Sequence, residues 1–118
     1  MEARTRGLNI MNAAVEIHLR IRTERRADLF AFLAEAIPFY ERPGGIRVRL
    51  IERDDDPNRF IEVVEYATVA DYEQDQQRVE HDPEMKAYLE RWRALLAEPP
   101  QVEIHRSVPL PPGEGDPS

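Results

Sequence analysis

The apolar and polar positions of this chain fall into blocks with two distinct periods. From Val15 to Arg22 they alternate strictly: Val15, Ile17, Leu19 and Ile21 are apolar, while Glu16, His18, Arg20 and Arg22 are polar. Period two marks a strand with one buried face. Thr23 then stands where a helix N-cap is expected. Leu29, Phe32, Leu33, Ala36, Ile37 and Tyr40 recur at helical spacing and form one apolar stripe. Pro38 lacks a backbone donor, so the helix is predicted to kink or loosen there. Pro43-Gly44-Gly45 ends the segment.

Alternation resumes from Ile46 to Glu52, with Ile46, Val48 and Leu50 opposed to Arg47, Arg49 and Ile51. Arg53-Asp54-Asp55-Asp56-Pro57-Asn58 reads as a turn, and Phe60 to Tyr66 as a third strand that forms a hairpin with the second. Asp71 to Ala97 has helical composition, interrupted at His81-Asp82-Pro83. Pro83 fits the first turn of a new helix better than the middle of a long one. That second helix carries Met85, Tyr88, Leu89, Trp92, Leu95 and Leu96 on one stripe, and Pro99-Pro100 stops it. Val102 to Val108 is a fourth strand. The order strand, helix, strand, strand, helix, strand is the split βαβ arrangement of an α+β, ferredoxin-like fold. Right-handed crossovers place the helices on one face of an antiparallel four-stranded sheet and leave the other face open. A second copy covering that face would close a dimeric α/β barrel.

Composition narrows the chemistry. The chain has 118 residues, enough for one domain, and no cysteine, which removes disulfides, thiolate metal sites and cysteine nucleophiles. Its formal charge is −7, without the basic footprint of a nucleic-acid binder. No apolar run is long enough to span a membrane, and residues 1–14 lack the apolar stretch of a signal peptide, so a cytoplasmic protein is expected. Residues 1–14 read as a flexible extension, 15–108 as the barrel domain and 109–118 as a disordered, proline-rich tail.

With these elements placed, the sequence resembles the antibiotic biosynthesis monooxygenase family within the dimeric α/β-barrel superfamily. The resemblance rests on Pro43-Gly44-Gly45, Asp55-Asp56-Pro57-Asn58-Arg59-Phe60, Glu65-Tyr66, Asp82-Pro83-Glu84-Met85 and Tyr88-Leu89, and covers about residues 15–108. It implies a homodimer with a cavity for a small-molecule ligand. It further implies an oxygenase that needs no cofactor and acts on an aromatic or polyketide-like substrate. Tyr66 stands where many members carry tryptophan, and Val79 where many carry histidine. Leu89, near the haem ligand of haem-degrading relatives, cannot bind iron. No haem, flavin or metal is therefore expected. A different class of function fits the same fold: a non-catalytic barrel that binds a small ligand or serves as a stress-related accessory protein.

The alternation sets which side chains reach the open face. Glu16, His18 and Arg20 point there from the first strand, Arg47, Arg49 and Ile51 from the second, and Glu103, His105 and Ser107 from the fourth. The third strand is apolar on both faces: Phe60, Glu62, Val64 and Tyr66 share one, Ile61, Val63 and Glu65 the other. The resemblance favours the Tyr66 face as inward. The candidate catalytic residues are then His18, Tyr66 and His105. A histidine takes a substrate proton near neutrality, and a phenol or guanidinium steadies the resulting oxyanion. Arg20, Arg47, Arg49 and Glu62 are the candidate substrate-binding residues. The same groups also read as polar side chains paired across a dimer face, Glu with Arg and His with Glu. His18, His105 and Glu62 or Glu103 have the ligand types for iron or zinc, but no local spacing supports a metal site. His81 reads as a turn residue, Tyr88 and Trp92 as core, and Asp54-Asp55-Asp56 as a solvated turn without the pattern of a calcium loop.

Overall fold

The computed structural model describes residues 13–111. Most of the expected N-terminal extension, and residues 112–118 of the expected tail, lie outside the described residues. The strands are β1 (Ala13–Arg20), β2 (Ile46–Arg53), β3 (Asp56–Tyr66) and β4 (Gln101–Arg106); the helices are α1 (Arg26–Glu41), α2 (Val69–His81) and α3 (Pro83–Arg93). The sheet is antiparallel in the order β2-β3-β1-β4, the ferredoxin-like arrangement. Among the described residues no helix is long and apolar enough to cross a membrane.

Local chemistry explains the boundaries. Asp82 caps α3, its Oδ1 accepting from the Glu84 N–H at 2.8 Å, and Pro83 occupies the first turn, where its missing donor is harmless. Thr68 caps α2 through the Asp71 N–H at 3.0 Å. The helix does not begin at Thr23 as expected. Residues Thr23–Arg25 form a short 3-10 turn, and α1 starts after Arg25 without a side-chain cap. The first helix runs through Pro38 to Glu41. Gly44 and Gly45 then turn the chain at φ +88° and +74°, the left-handed region where a β-carbon is costly. The Gly45 carbonyl accepts from the Ala67 N–H at 2.8 Å, tying this turn to the end of β3.

The helices cover one face of the sheet. Leu19, Ile46, Val48, Phe60 and Tyr66 meet Leu29, Phe32, Leu33, Ala36, Phe39, Met85 and Trp92 in a single buried cluster. Cross-strand partners share a face, so the register fixes β3. Ile17 pairs with Glu62, Leu19 with Phe60, Val48 with Val64 and Ile46 with Tyr66. Phe60, Glu62, Val64 and Tyr66 therefore face the helices. The expectation that this set faces away from them is corrected, because its direct neighbours on β1 and β2 are the residues of the core. Ile61, Val63 and Glu65 take the open face instead, beside His18, Arg49 and Arg47.

Candidate functional site

Among the described residues, concavities lie on both sides of the sheet. The one on the open face, about 430 Å³, gathers His18, Ile51, Arg59, Ile61 and Gln101 near the ends of β1, β2 and β3. His18 lies opposite Gln101, and His105 opposite Ala14, so the two histidines are not direct cross-strand partners. They converge on one carboxylate oxygen. His18 Nε2 is 3.7 Å from Glu103 Oε1, and His105 Nε2 is 3.2 Å from the same atom. Among the described residues no group of three or more acidic or histidine side chains is arranged to hold a metal ion. The arginines of this face are drawn to carboxylates: Arg20 lies 3.9 Å from Glu98, and Arg49 lies 3.6 Å from Glu65. Arg47 stands exposed beside them.

The second cavity, about 260 Å³, lies between the sheet and the helices. Ile17, Val64, Val79, Met85 and Leu89 supply apolar wall, and Tyr40, Glu62, Tyr66, Asp75, Gln76, Trp92 and Arg93 bring polar atoms to it. Tyr66 and Glu62, expected at a site on the open face, are brought together here; His18, His105, Arg20, Arg47 and Arg49 do not line this cavity. Glu62 stands between Val63 and Ile61, on the face that packs against α3, with 4% of its surface exposed. Desolvation pushes its carboxyl up to about 7, and hydrogen bonding by the Trp92 indole acts in the opposite sense. Glu62 Oε1 and Trp92 Nε1 are both buried without a hydrogen-bond partner among the described residues. Groups of this kind are rare in proteins, and each calls for a partner such as water, an ion or a ligand. None of the buried unpartnered atoms among the described residues belongs to a residue of the open-face concavity.

Behind Glu62 stands a polar chain that the sequence did not reveal. The Tyr66 hydroxyl donates to Asp75 Oδ2 at 2.6 Å. Arg78 Nη1 donates to Asp75 Oδ1 at 3.0 Å. The same guanidinium donates to the carbonyls of Tyr40 and Phe39, at 3.1 and 2.9 Å. Arg78 thus ties α2 to the end of α1 and holds Asp75, which holds the Tyr66 ring. Burial, then the bond to Asp75, raises the Tyr66 phenol well above its ordinary range; burial, then the charge of Glu62, does the same to Tyr40. Both stay neutral donors at physiological pH, and Glu62 is the cavity group poised to exchange a proton there. The signal for Asp75 was its place at i+3 between Tyr72 and Val79 on the inner stripe of α2, where a carboxylate needs a partner.

No family model and no curated protein matches the sequence. Solved structures do. A conserved protein from Methanosarcina mazei Go1 superposes with a TM-score of 0.71 at 11% identity, over 88% of this chain and 98% of that one. SnoaB, a cofactor-independent oxygenase from Streptomyces nogalater, superposes with a TM-score of 0.69 at 14% identity, over 86% and 98% of the two chains. At these identities the likeness concerns the fold. A protein from Bordetella bronchiseptica, named among the antibiotic biosynthesis monooxygenases, is 30% identical over 82% of this chain and 98% of its own, with a TM-score of 0.57. On that identity and coverage, together with the shared ferredoxin-like sheet, the chain belongs to the antibiotic biosynthesis monooxygenase-like family.

Proposed function

We propose that this protein is a cofactor-independent monooxygenase for a small aromatic substrate, and that the reaction takes place between the sheet and the helices rather than on the open face. The observation that carries the reading is Glu62: a carboxyl with 4% exposure and an unpartnered oxygen, on the wall of a cavity otherwise lined largely by apolar and aromatic groups. A base with a pKa near the working pH combines adequate basicity with a useful population of the ionised form. The substrate that fits this chemistry is an enol or phenol conjugated to a ring carbon that still bears hydrogen. Glu62 takes the hydroxyl proton, and the resulting anion is delocalised onto that carbon. The anion passes one electron to dioxygen, and the radical pair combines to form a carbon–oxygen bond. Loss of the remaining C–H proton and cleavage of the O–O bond leave a carbonyl. The second oxygen departs as water with the proton Glu62 returns. Enol and dioxygen become ketone and water, and the substrate supplies every electron.

The cavity is small against the roughly 300–1,000 Å³ of typical ligand pockets, which fits a molecule of about two or three rings. Tyr66, held by Asp75, and Tyr40 present neutral aromatic surface to such a ring. The test is dioxygen uptake with anthrone, whose enol has the required connectivity, in protein treated with chelator and given no flavin or haem. Accelerated formation of anthraquinone, with one heavy oxygen atom taken from labelled dioxygen, supports the reading. Glu62→Gln is expected to lower the rate by about 10²-fold or more, the usual contribution of a general base. Uptake that requires added metal or flavin, or that Glu62→Gln leaves unchanged, overturns it.

The same reading includes a homodimer formed through the open face. Ile51 is 42% exposed there, opposite the half-buried Ile61 on β3 and with exposed Arg47 and Arg49 on its own strand. A two-fold partner covers such a surface by self-complementary contact, burying on the order of 2,000 Å² in total.

A further inference from the structure

The cavity holds a second unsatisfied atom that the base alone does not explain. Trp92 is 6% exposed and packs in the core, as its helical spacing suggests, yet its indole nitrogen has no hydrogen-bond partner among the described residues. It lines the same cavity as Glu62 and lies close enough to lower that carboxyl by hydrogen bonding, yet among the described residues the geometry closes no bond on Trp92 Nε1 or on Glu62 Oε1. We infer that Trp92 is a catalytic residue of this cavity, its indole N–H donating to the substrate oxygen from which Glu62 takes the proton. In its role in turnover this rests on the oxygenase reading above; the contact itself is a claim about binding.

The donor inventory decides which ligand satisfies both atoms. Indole N–H only donates, and an ionised carboxylate only accepts. A single oxygen that donates to Glu62 and accepts from Trp92 is a hydroxyl, that of a water molecule in the ligand-free cavity and of the ligand that displaces it. Against the ionised carboxyl, the form that acts as base, a ketone or ether leaves the carboxylate unmet, an amine cation leaves the indole unmet, and a hydrocarbon leaves both. Once the proton has moved, the substrate oxyanion accepts from the Trp92 N–H and from the newly protonated Glu62. The contact to Trp92 therefore strengthens as charge develops on that oxygen, which is the condition for a group to accelerate the step rather than merely bind. A site built around a hydroxyl discriminates against analogues that lack it, because the site's own polar atoms are then buried unpaired. Ile17, Val64, Met85 and Leu89 complete the preference for a flat ring behind that hydroxyl.

Naphthol and naphthalene serve as the probe pair, titrated by calorimetry. Wild-type protein is expected to prefer naphthol. Trp92→Phe retains an aromatic ring and removes the N–H, so naphthol affinity should fall roughly tenfold while naphthalene affinity is unchanged. An equal loss for both probes makes Trp92 an apolar wall and overturns the inference. Unchanged naphthol affinity overturns it too, since the indole then closes on Glu62 alone, as does failure of wild-type protein to bind naphthol. Should Trp92→Phe not fold, the wild-type protein still decides. Trp92 is the only tryptophan, so its indole N–H gives one side-chain peak in a proton–nitrogen correlation spectrum. Naphthol should move that peak downfield and naphthalene should not; equal shifts, or none, reject the contact. Oxygen uptake is read separately. Glu62-dependent turnover with naphthol preference intact in Trp92→Phe sinks this inference alone. Naphthol preference lost in Trp92→Phe without any uptake sinks the oxygenase reading and leaves the contact.

Discussion

The Tyr66 hydroxyl donates to Asp75 Oδ2 at 2.6 Å, and this bond joins the end of β3 to the middle of α2 inside the core. Asp75 is 8% exposed, and its other oxygen is held by Arg78. Replacing Tyr66 with Phe keeps the ring against Tyr72, whose centroid is 5.4 Å away, and deletes the donor. The buried carboxylate then keeps Arg78 and loses the phenol. A loss of about 1–3 kcal/mol in urea unfolding is expected. An unchanged midpoint would show that water replaces the phenol at no cost.

Glu62 gives the stability a distinctive pH dependence. Its carboxyl is pushed up to about 7 in the folded chain, against an ordinary value of 4.5. Between these values the folded state holds a proton that the unfolded state has released. Stability from this group is therefore complete below about pH 4.5 and is lost as pH rises through 7, by about 3 kcal/mol in all. Glu62→Gln stays neutral throughout, so the difference between variant and wild type should grow in favour of the variant from pH 5 to pH 8. Unfolding curves across that range check the sign. Parallel curves would place the Glu62 carboxyl at its ordinary value.

Gly44 and Gly45 both have positive φ, but their surroundings differ. A β-carbon on Gly44 meets nothing within 4 Å, whereas one on Gly45 comes to 2.5 Å from Asp71 Oδ2 and 2.9 Å from its Cγ. Gly44→Ala should cost only the backbone strain, on the order of 1 kcal/mol. Gly45→Ala adds displacement of Asp71 in the first turn of α2 and should lower the melting temperature further. Equal effects of the two substitutions would mean that Asp71 turns aside freely.

The open sheet face predicts the assembly. Light scattering at micromolar concentration should give twice the chain mass. Ile51 is 42% exposed on that face, opposite Ile61 on β3. Ile51→Asp should give monomers, or protein that aggregates through its bare sheet. A wild-type monomer at that concentration would leave the face without its proposed cover.

The elements themselves were readable because each has one clear period. Ile17, Leu19 and Ile21 alternate cleanly, and Pro83 can only start a helix at that position. The facing of β3 was not readable. Phe60, Val64 and Tyr66 on one side and Ile61 and Val63 on the other are both apolar enough to be buried, and only pairing with Ile17 and Val48 chooses between them. That choice carried the candidate site with it: Glu62 and Tyr66 went to the helix side, while His18 and His105 stayed on the other. Glu62 was legible as a residue of interest but not as a buried acid, since a carboxylate among alternating apolar residues normally faces water. Trp92 was legible as core, but its unpaired nitrogen was not, because a stripe position says where a ring lies and nothing about where its N–H points.

All six residues of β4 are exposed, with Val102 at 57% and Ile104 at 55%, and the strand is paired on one side only, with β1. Little buried apolar surface fastens it, so its backbone hydrogen bonds bear most of the work of keeping it in place. A segment held in that way opens locally at a fraction of the free energy needed to unfold the whole domain, and its amides exchange with solvent first. Pro100 and Val102 are also part of the wall around Glu62 and Trp92. The rim of the cavity is thus its most loosely held boundary, and fraying of this edge would open the cavity while the cluster around Leu29 and Phe32 stays intact.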